Sequence, residues 1–124
     1  MTKTVIRTDR APVPAGPYSQ AIAASGLVFV AGQLGIDPTT RTPSEGIGGQ
    51  TKQALLNVKR VLEASGSSLA KAVKISVFLR DMNDFREMNE AYKEFFHDDP
   101  PARTTIQAPP PGGYLVEIDA IAVQ

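Results

Sequence analysis

In the first third of the chain, apolar and polar residues alternate with a period of two, the spacing of strands buried on one face. The pattern predicts strands over Lys3–Arg7, Ala21–Ala24 and Leu27–Ala31, with Ser25-Gly26 as a two-residue hairpin turn between the second and third. Asp37 to Gly46 is polar and rich in turn formers, and from Ile47 or Gly49 onward the period becomes 3.6. Leu55, Val58 and Leu62 recur at helical spacing, Ala54 and Val61 widen the stripe, and Gly66 stops the helix. Val73, Ile75, Val77 and Leu79 then alternate with Lys74, Ser76 and Phe78, a strand that follows strand and helix and is expected to pair in parallel.

A second helix opens near Asn83 or Asp84, where Asp84 and Glu87 have capping-box spacing, and sets Phe85, Met88, Tyr92 and Phe95 on one face. Asn89 borders that face, so its amide must find partners, in the structural reading by tying down a neighbouring loop. Strands over Arg103–Gln107 and Tyr114–Val123 complete the order βββαβαββ, with Pro109-Pro110-Pro111-Gly112-Gly113 as the loop between them. Two helices on one face of a mixed sheet make an α+β two-layer sandwich. Along the last strand Val116, Ile118, Ala120 and Ala122 turn toward the helices, while Leu115, Glu117, Asp119, Ile121 and Val123 turn away. A helix-free face that mixes acids with Leu, Ile and Val is expected to pack on other subunits.

The length, 124 residues, fits a single domain spanning residues 1–124. No apolar run approaches the roughly 20 residues that span a bilayer, and the first residues lack the apolar core of a signal peptide, which places the protein in the cytoplasm. The absence of cysteine excludes disulfides, thiol nucleophiles and thiolate-bound zinc. His97, alone of its kind, allows no multi-histidine metal site and is expected to cap the end of the second helix. The 13 basic and 13 acidic residues are interspersed and cancel, against the electrostatic footprint of a nucleic-acid binder.

Two prolines deliver Arg103 to the start of its strand in Pro100-Pro101-Ala102-Arg103-Thr104-Thr105-Ile106. A turn between its strand and the last one predicts antiparallel adjacency, which makes Glu117 its expected partner. Glu117 and Asp119 share a face about 7 Å apart, two rises of about 3.3 Å, and such a pair serves general acid and base work or is a solvated face. The guanidinium is a planar, permanently charged fork that suits the carboxylate of an α-keto, α-imino or α-amino acid, and a salt-bridge network is the alternative. Gly16-Pro17-Tyr18 presents a phenol from a rigid turn, and Gly32 in Ala31-Gly32-Gln33 allows backbone to approach a ligand.

Together these segments resemble the RidA family, the reactive intermediate deaminases formerly grouped as YjgF-like proteins. The resemblance covers almost the whole chain. It rests on Gly16-Pro17-Tyr18-Ser19-Gln20-Ala21, Ala31-Gly32-Gln33, Asn57-Val58, Asn83-Asp84-Phe85 to Asn89-Glu90-Ala91-Tyr92, Pro101-Ala102-Arg103 and Val116-Glu117-Ile118-Asp119-Ala120-Ile121-Ala122. It implies a chorismate-mutase-like fold, a homotrimer with sheets facing inward and clefts at its interfaces, and cofactor-free, metal-free hydrolysis of 2-aminoacrylate-type enamines and imines to 2-oxo acids and ammonia. By position, Arg103 would hold the substrate carboxylate, Glu117 would activate water and Tyr18 would pack on the substrate. Gly32, Thr105 and Asn89 would complete the binding site. Some members have cysteine in place of Thr105, and many have serine in place of Ala31. A non-catalytic sensor of small 2-oxo acids, and an endoribonuclease or translation inhibitor, are the alternative functions.

Overall fold

A computed structural model describes residues 2–124. Six strands form one sheet: β1 (Thr4–Ile6), β2 (Ala21–Ala24), β3 (Leu27–Leu34), β4 (Ala72–Leu79), β5 (Ala102–Gln107) and β6 (Val116–Val123). Helix α1 (Gly46–Ala64) precedes β4, and α2 (Phe85–Tyr92) precedes β5, so the order βββαβαββ is as expected. The result is a two-layer α+β, chorismate-mutase-like sandwich with a mixed sheet. Among the described residues no helix is long and apolar enough to cross a membrane.

Strand order in the sheet is β1-β2-β3-β6-β4-β5, antiparallel throughout except for β4 and β5. Ser25 and Gly26, with φ of 54° and 77°, form the tight turn between β2 and β3. Beyond it the expected topology needs correction. β5 does not lie beside β6; it pairs in parallel with β4, and β6 enters between β3 and β4. The reason is the unit β4-α2-β5, a strand-helix-strand crossover, which brings its two strands together in parallel. Residues 108–115 are then a connection across the sheet rather than a hairpin loop.

The core lies between α1 and the sheet. Val116, Ile118, Ala120 and Ala122 of β6 are buried on the helix side, as their alternation predicts, against Leu55, Val58, Val61 and Leu62 of α1. Ile75, Val77 and Leu79 join them, but Val73 is exposed and Ala72 buried in its place. The β4–β6 register shifts between Ala72 and Lys74, and this bulge reverses the phase of the alternation.

The α1 stripe is not purely apolar. The fully buried Asn57 donates to the carbonyls of Leu34 (3.1 Å) and Ile36 (2.9 Å) and accepts from Gln53 Nε2 (3.0 Å). Gln50 accepts the N–H of Leu115 at 2.9 Å, just before β6. These amides fasten the exit of β3 and the entrance of β6 to one helix. Contact is so close at Gly35 that a Cβ there would stand 2.5 Å from the Gln50 backbone.

Helix ends differ from expectation. Asp84 makes no side-chain cap; Asp81 does so one turn earlier, accepting the Asn83 N–H at 2.9 Å at the head of a 3-10 turn over Met82–Asp84. α2 ends at Tyr92, so Phe95 lies beyond it and the exposed His97 stands too far along to cap it. Gly66 follows the end of α1 with φ of 85°, as predicted.

Gly35→Ala must push α1 from the end of β3, and Asn57→Ala leaves two part-buried carbonyls without their side-chain donor. Each is expected to lower the unfolding free energy by about 2 kcal/mol, read as a reduced urea midpoint at unchanged m.

Candidate functional site

The residues singled out in the sequence fall into two groups on opposite faces of the sheet. Arg103 is in register with Ile75, and Thr105 with Val77, both buried residues of β4, so Arg103 and Thr105 face the helix layer. There the guanidinium lies over the ring of Tyr92, its Cζ 4.6 Å from the centroid, and 5.7 Å from that of Phe85. The two α2 aromatics therefore support the cation through their π faces. Among the described residues it forms no ion pair.

Around Arg103 three buried polar atoms lack hydrogen-bond partners of good geometry: Asn89 Oδ1, the Tyr92 hydroxyl and Thr105 Oγ1. The expected loop-fastening role of Asn89 is thus not what its amide oxygen does here. Burial pushes the Tyr92 phenol above its usual value, and the neighbouring Arg103 charge opposes the rise. Arg103, Asn89, Tyr92, Phe96 and the Pro100-Pro101 approach line an open cleft of about 430 Å³. The Tyr92 and Thr105 hydroxyls can donate to a small anion held by the fixed cation, whereas Asn89 Oδ1, which only accepts, suits an N–H.

Glu117 occupies the other face. It is in register with Leu34 of β3 and Phe78 of β4, and its side chain lies across Gly32. A Cβ on Gly32 would stand 2.8 Å from Glu117 Cδ and 2.9 Å from Oε2, so only glycine leaves the carboxylate this position. The β3–β6 register shifts between Val30 and Gln33, which places Gly32 in the irregular segment. Burial raises the Glu117 pKa, and the charge of Asp119 two residues along raises it further. A carboxyl poised upward in this way is suited to exchanging protons with water.

Tyr18 shares the cleft of about 120 Å³ over Glu117, with Gly32, Leu34, Pro12, Pro14 and Pro111. It is exposed, and its hydroxyl accepts the Ala15 N–H at 3.2 Å, folding the phenol back over its own turn. The buried Gln20 fixes this segment: its Oε1 accepts the Thr8 N–H (2.8 Å), and its Nε2 donates to the carbonyls of Thr8 and Pro12 (3.0 Å each).

Within one chain, therefore, Arg103 is not the neighbour of Glu117. β4 separates their strands, about 10 Å for two strand spacings, and the pleat turns the side chains to opposite faces. The expected adjacency fails for the same reason as the expected hairpin. Two contributors are not evident from the sequence, Gln20 as the organiser of the Tyr18 segment and Tyr92 as the platform under Arg103, while the proline-rich loop borders the Glu117 cleft through Pro111. Tyr92 belongs to the apolar stripe of α2 by its spacing, and its hydroxyl is the signal that sets it apart there. Among the described residues no group of three or more His, Cys, Asp or Glu is placed to hold a metal ion.

The model of the family described as Endoribonuclease L-PSP matches residues 8–124. A RutC family protein of Pyrococcus horikoshii is 50% identical over 122 residues, covering 97% of each chain. A Bos taurus protein named 2-iminobutanoate/2-iminopropanoate deaminase is 41% identical, over all of this chain and 92% of its own. Among solved structures, RidA of an Antarctic Psychrobacter superposes with a TM-score of 0.94 at 39% identity, covering 98% of this chain and 99% of its own. E. coli TdcF with bound serine matches with a TM-score of 0.94 at 37% identity, covering 98% of both chains.

Because the folded state holds Glu117 above its ordinary pKa, it binds protons more readily than the unfolded chain. That contribution to stability is complete at pH below the ordinary glutamate value and is lost as pH rises through the folded one. Glu117→Gln is expected to remove this fall from a stability-against-pH profile. Asp119→Asn is expected to move the Glu117 carboxyl-carbon NMR titration toward lower pH; an unmoved midpoint counts against the electrostatic contact.

Proposed function

The chain belongs to the endoribonuclease L-PSP family, the YjgF/RidA proteins, and on that premise we propose that it hydrolyses small 2-imino acids to 2-oxo acids and ammonia. The observation that carries this reading is the Arg103 guanidinium, held against two aromatic rings, in no ion pair among the described residues, with the Tyr92 and Thr105 hydroxyls beside it. Such a site fits a carboxylate bonded directly to the carbon of a reacting C=N bond.

In the proposed reaction, Arg103 binds the carboxylate through two parallel N–H···O bonds and so fixes the imine carbon. Glu117 takes a proton from water as its oxygen bonds to that carbon, giving a carbinolamine. Glu117 then returns that proton to nitrogen and takes up the hydroxyl proton as the C–N bond breaks and the C=O bond forms, so that ammonia leaves the 2-oxo acid. One water is consumed for each ammonia released. A protonated imine is already electrophilic, so orientation and one moderate base suffice. Tyr18, beside Glu117, covers the reacting centre, and Gly32 opens its backbone to the ligand.

Arg103 and Glu117 act on one substrate only when two copies meet, the Arg103 cleft of one facing the Glu117 cleft of the next. A homotrimer closes such a head-to-tail contact into a ring with three equal sites. The helix-free face supports this arrangement, since Phe29, Ile106 and Val123 stand 42%, 45% and 46% exposed on it. The 13 basic and 13 acidic residues cancel and are interspersed along the sequence, which argues against RNA as the ligand.

In the test, an amino-acid oxidase generates 2-iminobutanoate and semicarbazide traps what survives; active protein lowers the semicarbazone yield. Arg103→Ala is expected to cost about a hundredfold or more in kcat/KM, from two charge-assisted hydrogen bonds of about 1.5–3 kcal/mol each. Glu117→Gln should retain 2-oxobutanoate binding while kcat falls by about 10² or more. Refolded together in equal amounts, the two variants should recover about a quarter of wild-type activity, the share of contacts that join an intact Arg103 to an intact Glu117. No recovery would place both residues' work within one chain. Tight 2-oxobutanoate binding without any turnover would make the protein a sensor instead.

A further inference from the structure

We propose that Pro111, held in place by Arg80, is the specificity wall that limits the site to 2-imino acids with side chains of one or two carbons. This inference rests on the deaminase reading and assigns to one residue the choice among its substrates. The half-site over Glu117 that one chain supplies is a narrow cleft of about 120 Å³. The strands supply Gly32, Leu34 and Glu117 to it, the N-terminal segment supplies Pro12 and Pro14, and the β5–β6 connection supplies only Pro111.

A wall selects by size only if it cannot retreat, and the fastening of this one is unusually complete. Arg80, just past β4, donates from Nη2 to the Pro110 carbonyl and from Nε to the Tyr114 carbonyl, each at 3.0 Å. One planar guanidinium thus ties together the residues before and after the Pro111–Gly113 turn. Its own backbone N–H donates to the Leu115 carbonyl at 3.0 Å, and Gln50 holds the Leu115 N–H. Within the turn Gly112 and Gly113 take φ of 74° and 79°, and a Cβ on Gly112 would meet the Tyr114 ring at 2.9 Å. The proline rings fix φ on the other side, and the buried Pro110 anchors the start of the turn.

Arg80 reaches neither cleft. Its charge is used on two carbonyls of a surface connection, a costly device if the connection merely joined two strands. Held this way, Pro111 stands against whatever extends from the imine carbon beside Glu117. A methyl or ethyl group fits, whereas a branched or aromatic one meets the proline ring.

The test compares wild type, Pro111→Ala, Arg80→Gln and Arg80→Lys on imines made from alanine, 2-aminobutanoate, leucine and phenylalanine. Pro111→Ala is expected to raise the leucine-to-alanine ratio of kcat/KM about tenfold, as removal of a few wall atoms does in an apolar pocket. Arg80→Gln should shift it in the same direction, and Arg80→Lys, which lacks the planar fork, should not restore selectivity. Calorimetry with 2-oxobutanoate and with the 2-oxo acid of leucine reads the same wall without turnover. Pro111→Ala should tighten only the larger ligand. Equal ratios in wild type and Pro111→Ala, by both assays, overturn the proposal while leaving an active wild type as a deaminase. A wild type that hydrolyses no imine overturns the deaminase reading, and the calorimetric ratio then still decides whether Pro111 sets ligand size.

Discussion

The close docking of α1 on the sheet is the interaction on which the rest of the molecule depends. Its apolar residues supply much of the core, but its amides determine where the strands end. Asn57 collects two carbonyls from the exit of β3, and Gln50 takes the N–H at the entrance of β6, at a distance that only Gly35 permits. Buried amides gain little net energy when satisfied and cost much when stranded, so they act as locating pins rather than as glue. Glu117 and Gly32 lie between those pins. The carboxylate therefore inherits its position from a helix it does not touch through any side-chain bond of its own.

β6 is the second determinant. By entering between β3 and β4 it gives Glu117 to one face of the sheet, while the crossover β4-α2-β5 gives Arg103 to the other. One chain then carries a cation without its anion and an acid without its cation. The aromatic platform keeps the guanidinium extended without neutralising it, which a carboxylate partner would do. Burial and Asp119 keep the acid poised upward, which a cation beside it would reverse. Separation of the two charges within the chain preserves the reactivity of each.

Much of this was legible in the sequence. The β6 alternation identified its buried residues because burial on one face leaves a strict period of two. The element order and Gly66 followed from equally local rules. What escaped depended on which strands become neighbours. A short polar connection before β6 suggested a hairpin, although strand, helix and strand in succession over β4, α2 and β5 obeyed the crossover rule and should have taken precedence. Val73 misled because a bulge changes the phase of alternation without changing composition. Asp84 misled because Asp81, three residues earlier, competes for the same capping role. The candidate site was legible as a set of residues and illegible as a place, since the two halves stand on opposite faces of one sheet.

β6 also follows both of the strands that it joins. Until it arrives, β3 and β4 each present a bare edge, and the stripe of α1 faces a sheet with its middle missing. The β1–β3 meander and the β4-α2-β5 unit can each form from near neighbours in sequence, but they cannot be united. A chain in which β6 has not yet docked therefore carries two open strand edges, and it is in that state that it is most exposed to association with another incompletely folded copy.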